Sequence, residues 1–157
     1  MALRAKARKL IALPASDRRL LLRAAIVLAG CRLAVWLLPL PLLSRWLPVI
    51  TLPPRHATAG INDEKLAWAI AATGPSLGAT CLPQAMAACW FLARSGMQPI
   101  LRIGVRKSGE GAVSAHAWVE HAGRVLIGGR PDLVSYAPLL SVGPGSGTIT
   151  RFSAANS

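Results

Sequence analysis

Residues 80–96 read TCLPQAMAACWFLARSG, and residues 114–129 read SAHAWVEHAGRVLIGG. The first stretch opens a helix. Thr80 can cap it, and Pro83 falls in the first turn, where amides lack intrahelical partners anyway. The run from Ala85 to Arg94 is rich in helix formers, and Gly96 ends it. The second stretch alternates: Ser114, His116, Trp118 and Glu120 face one way, Val113, Ala115, Ala117 and Val119 the other. Ala122–Gly123 turns that strand into a hairpin with Arg124–Gly129. Between helix and hairpin, Gln98–Pro99 leads into the strand-like ILRIGVR of residues 100–106, followed by the turn SGEG. A helix and then an antiparallel meander predict an α+β fold.

This order places Cys81 at a helix mouth and His116 on a strand packed against that helix. A helix N-terminus favours the anionic thiolate, and an imidazole can take the thiol proton and later return it to a leaving amine. The Cys81 backbone amide is a ready donor to an oxyanion formed at the attacked carbonyl. The pair therefore predicts a cysteine nucleophile acting on an amide bond. A third group should hold the imidazole, and beyond His116 the carboxylates are Glu120 and Asp132. Glu120 lies four residues along the same strand, about 13 Å away, so Asp132 is the candidate by elimination. Trp118 shares a face with His116, either walling a cleft or packing as an ordinary indole. Gln84, one turn from Cys81, is read as facing solvent, with a donor near the oxyanion as the alternative. Cys31 and Cys89 read as small core residues, and His56 and His121 as solvated side chains.

Cys81 and Cys89 are about 12 Å apart along the helix, and His116 and His121 point to opposite strand faces, so no metal site is expected. No phosphate-cradling glycine motif follows a strand, so neither a nucleotide cofactor nor any other is expected. Three cysteines without paired spacing argue against a disulfide framework and suit a reducing compartment, the cytoplasm by default.

The chain has 157 residues, about one domain's worth. Its net charge of +12 is uneven: residues 1–56 hold ten Lys/Arg against Asp17 alone, the remainder eight against five acidic residues. Such an arm attracts anionic membranes, nucleic acid or acidic peptides without choosing among them. Arg23, Arg32 and Arg45 interrupt its apolar residues, and the longest uncharged stretch, Leu33 to Ser44, falls short of the roughly 18–20 residues of a membrane span. Packing on the core, docking to a partner and peripheral membrane contact all remain open for it. Ser16–Asp17 are read as its N-cap. Five prolines between Pro39 and Gly60 predict a linker or an irregular wrap instead of a helix. Asn62–Asp63–Glu64 then opens a helix that stops at Gly74–Pro75. We therefore divide the chain into an arm and Pro-rich linker, residues 1–60, and a catalytic core, residues 61–157.

The set TCLPQAMA, LRIGVRKSGEG, AHAWVE and PDLVSYAPL closely resembles the transglutaminase-like leader peptidases of lasso-peptide biosynthesis, the stand-alone B2 type. The resemblance covers most of the chain, including the Arg- and Leu-rich lead-in, and is most specific from Cys81 to Glu120. It implies a papain-like or transglutaminase-like core, a nucleophile helix on an antiparallel sheet, and a Cys-His-Asp triad at Cys81, His116 and Asp132. It also implies removal of the leader from a ribosomally made precursor, before a separate asparagine-synthetase-like cyclase closes the macrolactam. The leader-recognition protein, PqqD-like in that family, is expected as a separate chain, because residues 1–60 do not show a winged-helix pattern. No nucleic-acid partner is expected. Two alternatives stand beside this reading: a transglutaminase-type acyl transfer or deamidation, and a non-catalytic membrane- or partner-binding subunit.

Overall fold

The computed structural model describes residues 13–52, 60–107 and 112–143. His56, Pro53 and Pro54 lie outside the described residues. Four helices precede a four-stranded antiparallel sheet: α1 Ala15–Leu37, α2 Leu40–Thr51, α3 Asp63–Thr73, α4 Cys81–Arg94, β1 Ile100–Lys107, β2 Val113–His121, β3 Arg124–Ile127 and β4 Ala137–Val142. The sheet order is β3-β2-β1-β4. The expected meander is thus present, and β4 extends it by pairing with the free edge of β1.

Alternation decides what the sheet buries. Leu101, Ala117, Val119 and Val142 share a buried cluster with Ala85, Ala88, Cys89 and Leu92 of α4. Leu101 pairs with Val119 on one side and Val142 on the other, so one apolar row crosses three strands beneath the helix. The small residues of α4 allow that close approach, and their burial supplies the main favourable term. Cross-strand neighbours on the opposite face are polar: Arg102 lies between Trp118 and Ser141 and bonds Glu120 Oε2 at 2.8 Å and Ser141 Oγ at 3.0 Å.

The N-terminal helices join the same core. Leu21, Ala24 and Leu28 of α1 and Leu43 and Leu47 of α2 are buried in the cluster that holds α3 and α4. Two polar clamps fix α1: Asp17 accepts from Lys65 Nζ of α3 at 3.0 Å, and Arg32 donates to the carbonyl of Leu77. By length and composition α1 suffices to cross a bilayer, which the broken apolar runs of the sequence did not suggest. It runs straight through Gly30, whose cost inside a helix is only about 1 kcal/mol. The N-cap is Pro14, without a side-chain bond, and Ser16 and Asp17 fall inside the first turn instead of capping it. Asn62, in contrast, caps α3 as expected, its side chain accepting from the Lys65 amide at 2.8 Å.

Helix α2 corrects the expectation of an irregular, proline-broken segment. Pro39 is its N-cap and Pro41 sits in the first turn, where a missing N–H costs nothing. Only Pro48 interrupts the interior. What outweighs it is packing: Leu43, Leu47 and Thr51, spaced by four, are all buried, and α2 lies against α4. Thr51 satisfies its hydroxyl on the Pro48 carbonyl at 2.9 Å. Leu47→Ala is accordingly expected to cost about 2–5 kcal/mol, measured by urea denaturation, although it lies outside the sheet.

Candidate active site

Cys81 is the first residue of α4 and is half-buried against the core. Thr80 occupies the N-cap position but makes no side-chain bond to the helix, contrary to the capping role read from sequence. Pro83 has no N–H, and the Gln84 amide reaches the Thr80 carbonyl. The amides of Cys81 and Leu82 consequently have no acceptor among the described residues, and they sit at the positive end of a 14-residue helix. Gln84 does not point into solvent. Its Nε2 donates to the Ala79 carbonyl at 2.8 Å and packs against Gly74, bracing the turn that delivers Cys81.

His116 is 9 % exposed and stands on the sheet face opposite the apolar row, opposite Gly104 in the register. Gly104 explains the local packing: any side chain there would meet the Trp118 ring at 3.0 Å and the Ala137 carbonyl at 3.1 Å. Trp118 thus lies across β1, its ring nearly parallel to His116 (16°, centroids 6.3 Å apart), with its Nε1 donating to Glu120 Oε1 at 2.8 Å. Tyr136 closes the other side at 5.5 Å, its hydroxyl 3.3 Å from Ser114 Oγ.

The imidazole is oriented by a main-chain group. His116 Nε2 lies 2.7 Å from the Gly128 carbonyl oxygen, which can only accept, so Nε2 carries the proton and Nδ1 keeps the lone pair in the neutral ring. Gly128 has a φ of +78°, and a Cβ there would fall 2.6 Å from the Ala117 carbonyl. Only glycine brings this carbonyl so close to β2.

Asp132 makes no hydrogen bond to His116. Its carboxylate accepts from Arg106 Nη1 at 2.6 Å and Arg130 Nε at 3.0 Å, and its main chain accepts from Ser135 Oγ at 2.6 Å. The Arg130 hydrogen bond holds its pKa below the ordinary carboxylate range, so it is anionic at neutral pH. Arg106 also lies over the Tyr136 ring at 5.0 Å. Asp132 therefore anchors the segment that carries Gly128 and Arg130, and Arg130 in turn lies within electrostatic reach of Cys81. The same segment thus bonds His116 and lies within electrostatic reach of Cys81. Cys81 and His116 share no hydrogen bond in this structure.

Of the other cysteines, Cys31 is pushed up to about 11 by burial, and Cys89 is raised further by burial and by its neighbour Cys31. Both stay protonated and apolar, as read from sequence. His121 is not simply solvated, since its Nδ1 lies 3.2 Å from the Gln98 carbonyl. The sequence reading missed Gly128 and Tyr136. A Gly-Gly pair closing a strand and the chain's single tyrosine were the available signals.

A helix with a cysteine at its mouth, packed on an antiparallel sheet that carries a buried histidine, defines a class of thiol-dependent acyl-transfer folds. A family comparison makes it specific: the transglutaminase-like superfamily model matches residues 25–141, and the chain belongs to that superfamily. The match begins inside α1, so the N-terminal helices are in large part within the family's domain. Membership points to cysteine-protease or acyltransferase chemistry. Comparison with curated proteins and with solved structures gives no match.

Proposed function

We propose that this chain is a cysteine endopeptidase that removes the leader from a ribosomally made lasso-peptide precursor. The observation that carries the chemistry is the bond from His116 Nε2 to the Gly128 carbonyl, which leaves Nδ1 as the base; the helix mouth at Cys81, with two amides unpaired among the described residues, supports the nucleophile's role. The resemblance of the Cys81 and His116 motifs to lasso leader peptidases supports the substrate class.

In this mechanism Nδ1 of His116 takes the Sγ proton of Cys81, and the thiolate attacks the scissile carbonyl carbon. The resulting oxyanion accepts from the Cys81 and Leu82 amides. Nδ1–H then protonates the leaving amine, releasing one peptide and leaving a thioester on Cys81. Water, deprotonated by the same nitrogen, hydrolyses the thioester and restores the thiol. Cysteine and histidine are often loosely aligned in a free enzyme and tighten when substrate is bound. Asp132 serves as a positioning residue: it fixes the 128–132 segment through Arg106 and Arg130 and so holds the Gly128 carbonyl on His116. This replaces a direct Asp-His contact with a main-chain one. The partners of this reading are the precursor, a separate leader-recognition protein and a separate ATP-using cyclase. The setting is the cytoplasm, which suits three free cysteines.

The test is a reconstitution with precursor peptide and recognition protein, followed by mass spectrometry. Two fragments, leader and core, are expected. An uncut product carrying a new acyl–amine bond or a deamidated glutamine would move the assignment to the transglutaminase reaction, which superfamily membership equally accommodates. An unchanged precursor would sink both.

A further inference from the structure

Helices α1 and α2 carry an apolar surface that no other described residue covers. On α1, Leu22, Ile26, Leu33 and Trp36 are 52–79 % exposed and recur along the side opposite buried Leu21, Ala24 and Leu28. On α2, Trp46 (60 % exposed) and Val49 lie opposite buried Leu43 and Leu47. The two tryptophans thus stand on either side of the α1–α2 turn. Exposed Arg19, Arg23 and Arg45 are interspersed with these residues. Through residue 61 the sole acidic residue is Asp17, and Lys65 engages it.

We infer that this face docks the enzyme peripherally on an anionic phospholipid bilayer. Large apolar side chains, tryptophans and arginines on one helical surface match the apolar-polar boundary of a membrane carrying negative headgroups. A second copy fits poorly, because a two-fold contact through this face would set arginines against arginines with no carboxylate between them. A spanning orientation is disfavoured by the fold itself. The Lys65–Asp17 and Arg32–Leu77 clamps, with the burial of Leu21, Ala24 and Leu28, tie α1 along the body of the protein. It lies on the surface, and its outer side meets lipid. The inference is independent of the catalytic reading, since neither helix supplies a residue to that site.

The full chain, purified without detergent, should co-float at low salt with vesicles of phosphatidylcholine containing about one-third phosphatidylglycerol, and hardly at all with phosphatidylcholine alone. Trp36→Ser combined with Trp46→Ser should lower partitioning at least about tenfold. Arg19→Gln combined with Arg23→Gln should lower it about twenty-five-fold and flatten its salt dependence, each arginine contributing a factor of about five near an anionic surface. Circular dichroism should show both variants folded, and their leader cleavage in solution should match that of the parent. Three results would overturn the inference: no flotation with either lipid, flotation that ignores both headgroup charge and the tryptophan changes, or a concentration-dependent dimer in lipid-free solution that those changes abolish. The last would assign the face to a second copy.

Discussion

Cys81→Ala is expected to reduce peptide cleavage by at least about a thousandfold while leaving the fold intact, because it removes the atom that forms the thioester. Cys81 is half-buried at the helix mouth and its thiol makes no hydrogen bond among the described residues, so the loss of one sulfur there should barely change the denaturation midpoint. Alkylation offers a second readout. Cys31, pushed up to about 11 by burial, is thiolate to only roughly one part in ten thousand at neutral pH. Cys89 is fully buried and further raised. Brief treatment of the native protein with iodoacetamide should therefore label a single peptide, the one holding Cys81, and inactivate in step with labelling. Cleavage by Cys81→Ala at the parent rate would end the nucleophile assignment, whatever the substrate.

Gly128→Ala should have the next largest effect, and it tests the geometry instead of the thiol. The new Cβ would sit 2.6 Å from the Ala117 carbonyl and 3.0 Å from Trp118 Cα, at a φ of +78° that L residues rarely adopt. The backbone must move, and the carbonyl that holds His116 Nε2 moves with it. Left-handed strain and the clash together should cost about 1–3 kcal/mol of stability. Turnover should fall about a hundredfold, since a shift of roughly 1 Å in a catalytic group carries that penalty. Gly129→Ala is the control: its Cβ meets only Val125 Cγ1, at 3.7 Å. It should be close to neutral in urea denaturation and in kcat. If the two variants behave alike, the Gly128 carbonyl does not orient the base.

The parts of the site that were legible in sequence share a physical basis. The Cys81 helix, the β1 strand and the β2–β3 hairpin are each specified by local chemistry: a first-turn proline, small helix formers, a period of two and an Ala-Gly turn. The same period placed His116 and Trp118 on one face before any packing was known, and their rings do lie side by side. Asn62 announced α3 because a cap bond spans only three residues.

Where the reading departed from the structure, the deciding interaction was long-range. Counting prolines predicted a wrap after Pro39, and α2 formed because Leu43 and Leu47 meet α4 some forty residues later in the chain. Elimination among carboxylates selected Asp132 as the imidazole's partner, because side chains were the groups that the residue types display. A main-chain carbonyl is present at every position, so sequence cannot single one out. Gly128 takes the role only because β3 returns beside β2 and its missing Cβ lets the chains touch. Likewise, the polar charges of Arg106 and Arg130 claim Asp132 once the 128–135 turn folds over β1.

By itself, then, the sequence singled out Cys81 and His116 as the candidate pair and determined the local elements that present them, because caps, turns and alternation act over a few residues. Only the tertiary structure decided which group orients the histidine, that α1 and α2 are part of the same core, and which side of them is left bare. Those outcomes depend on which surfaces meet across the whole chain, and burial is settled there.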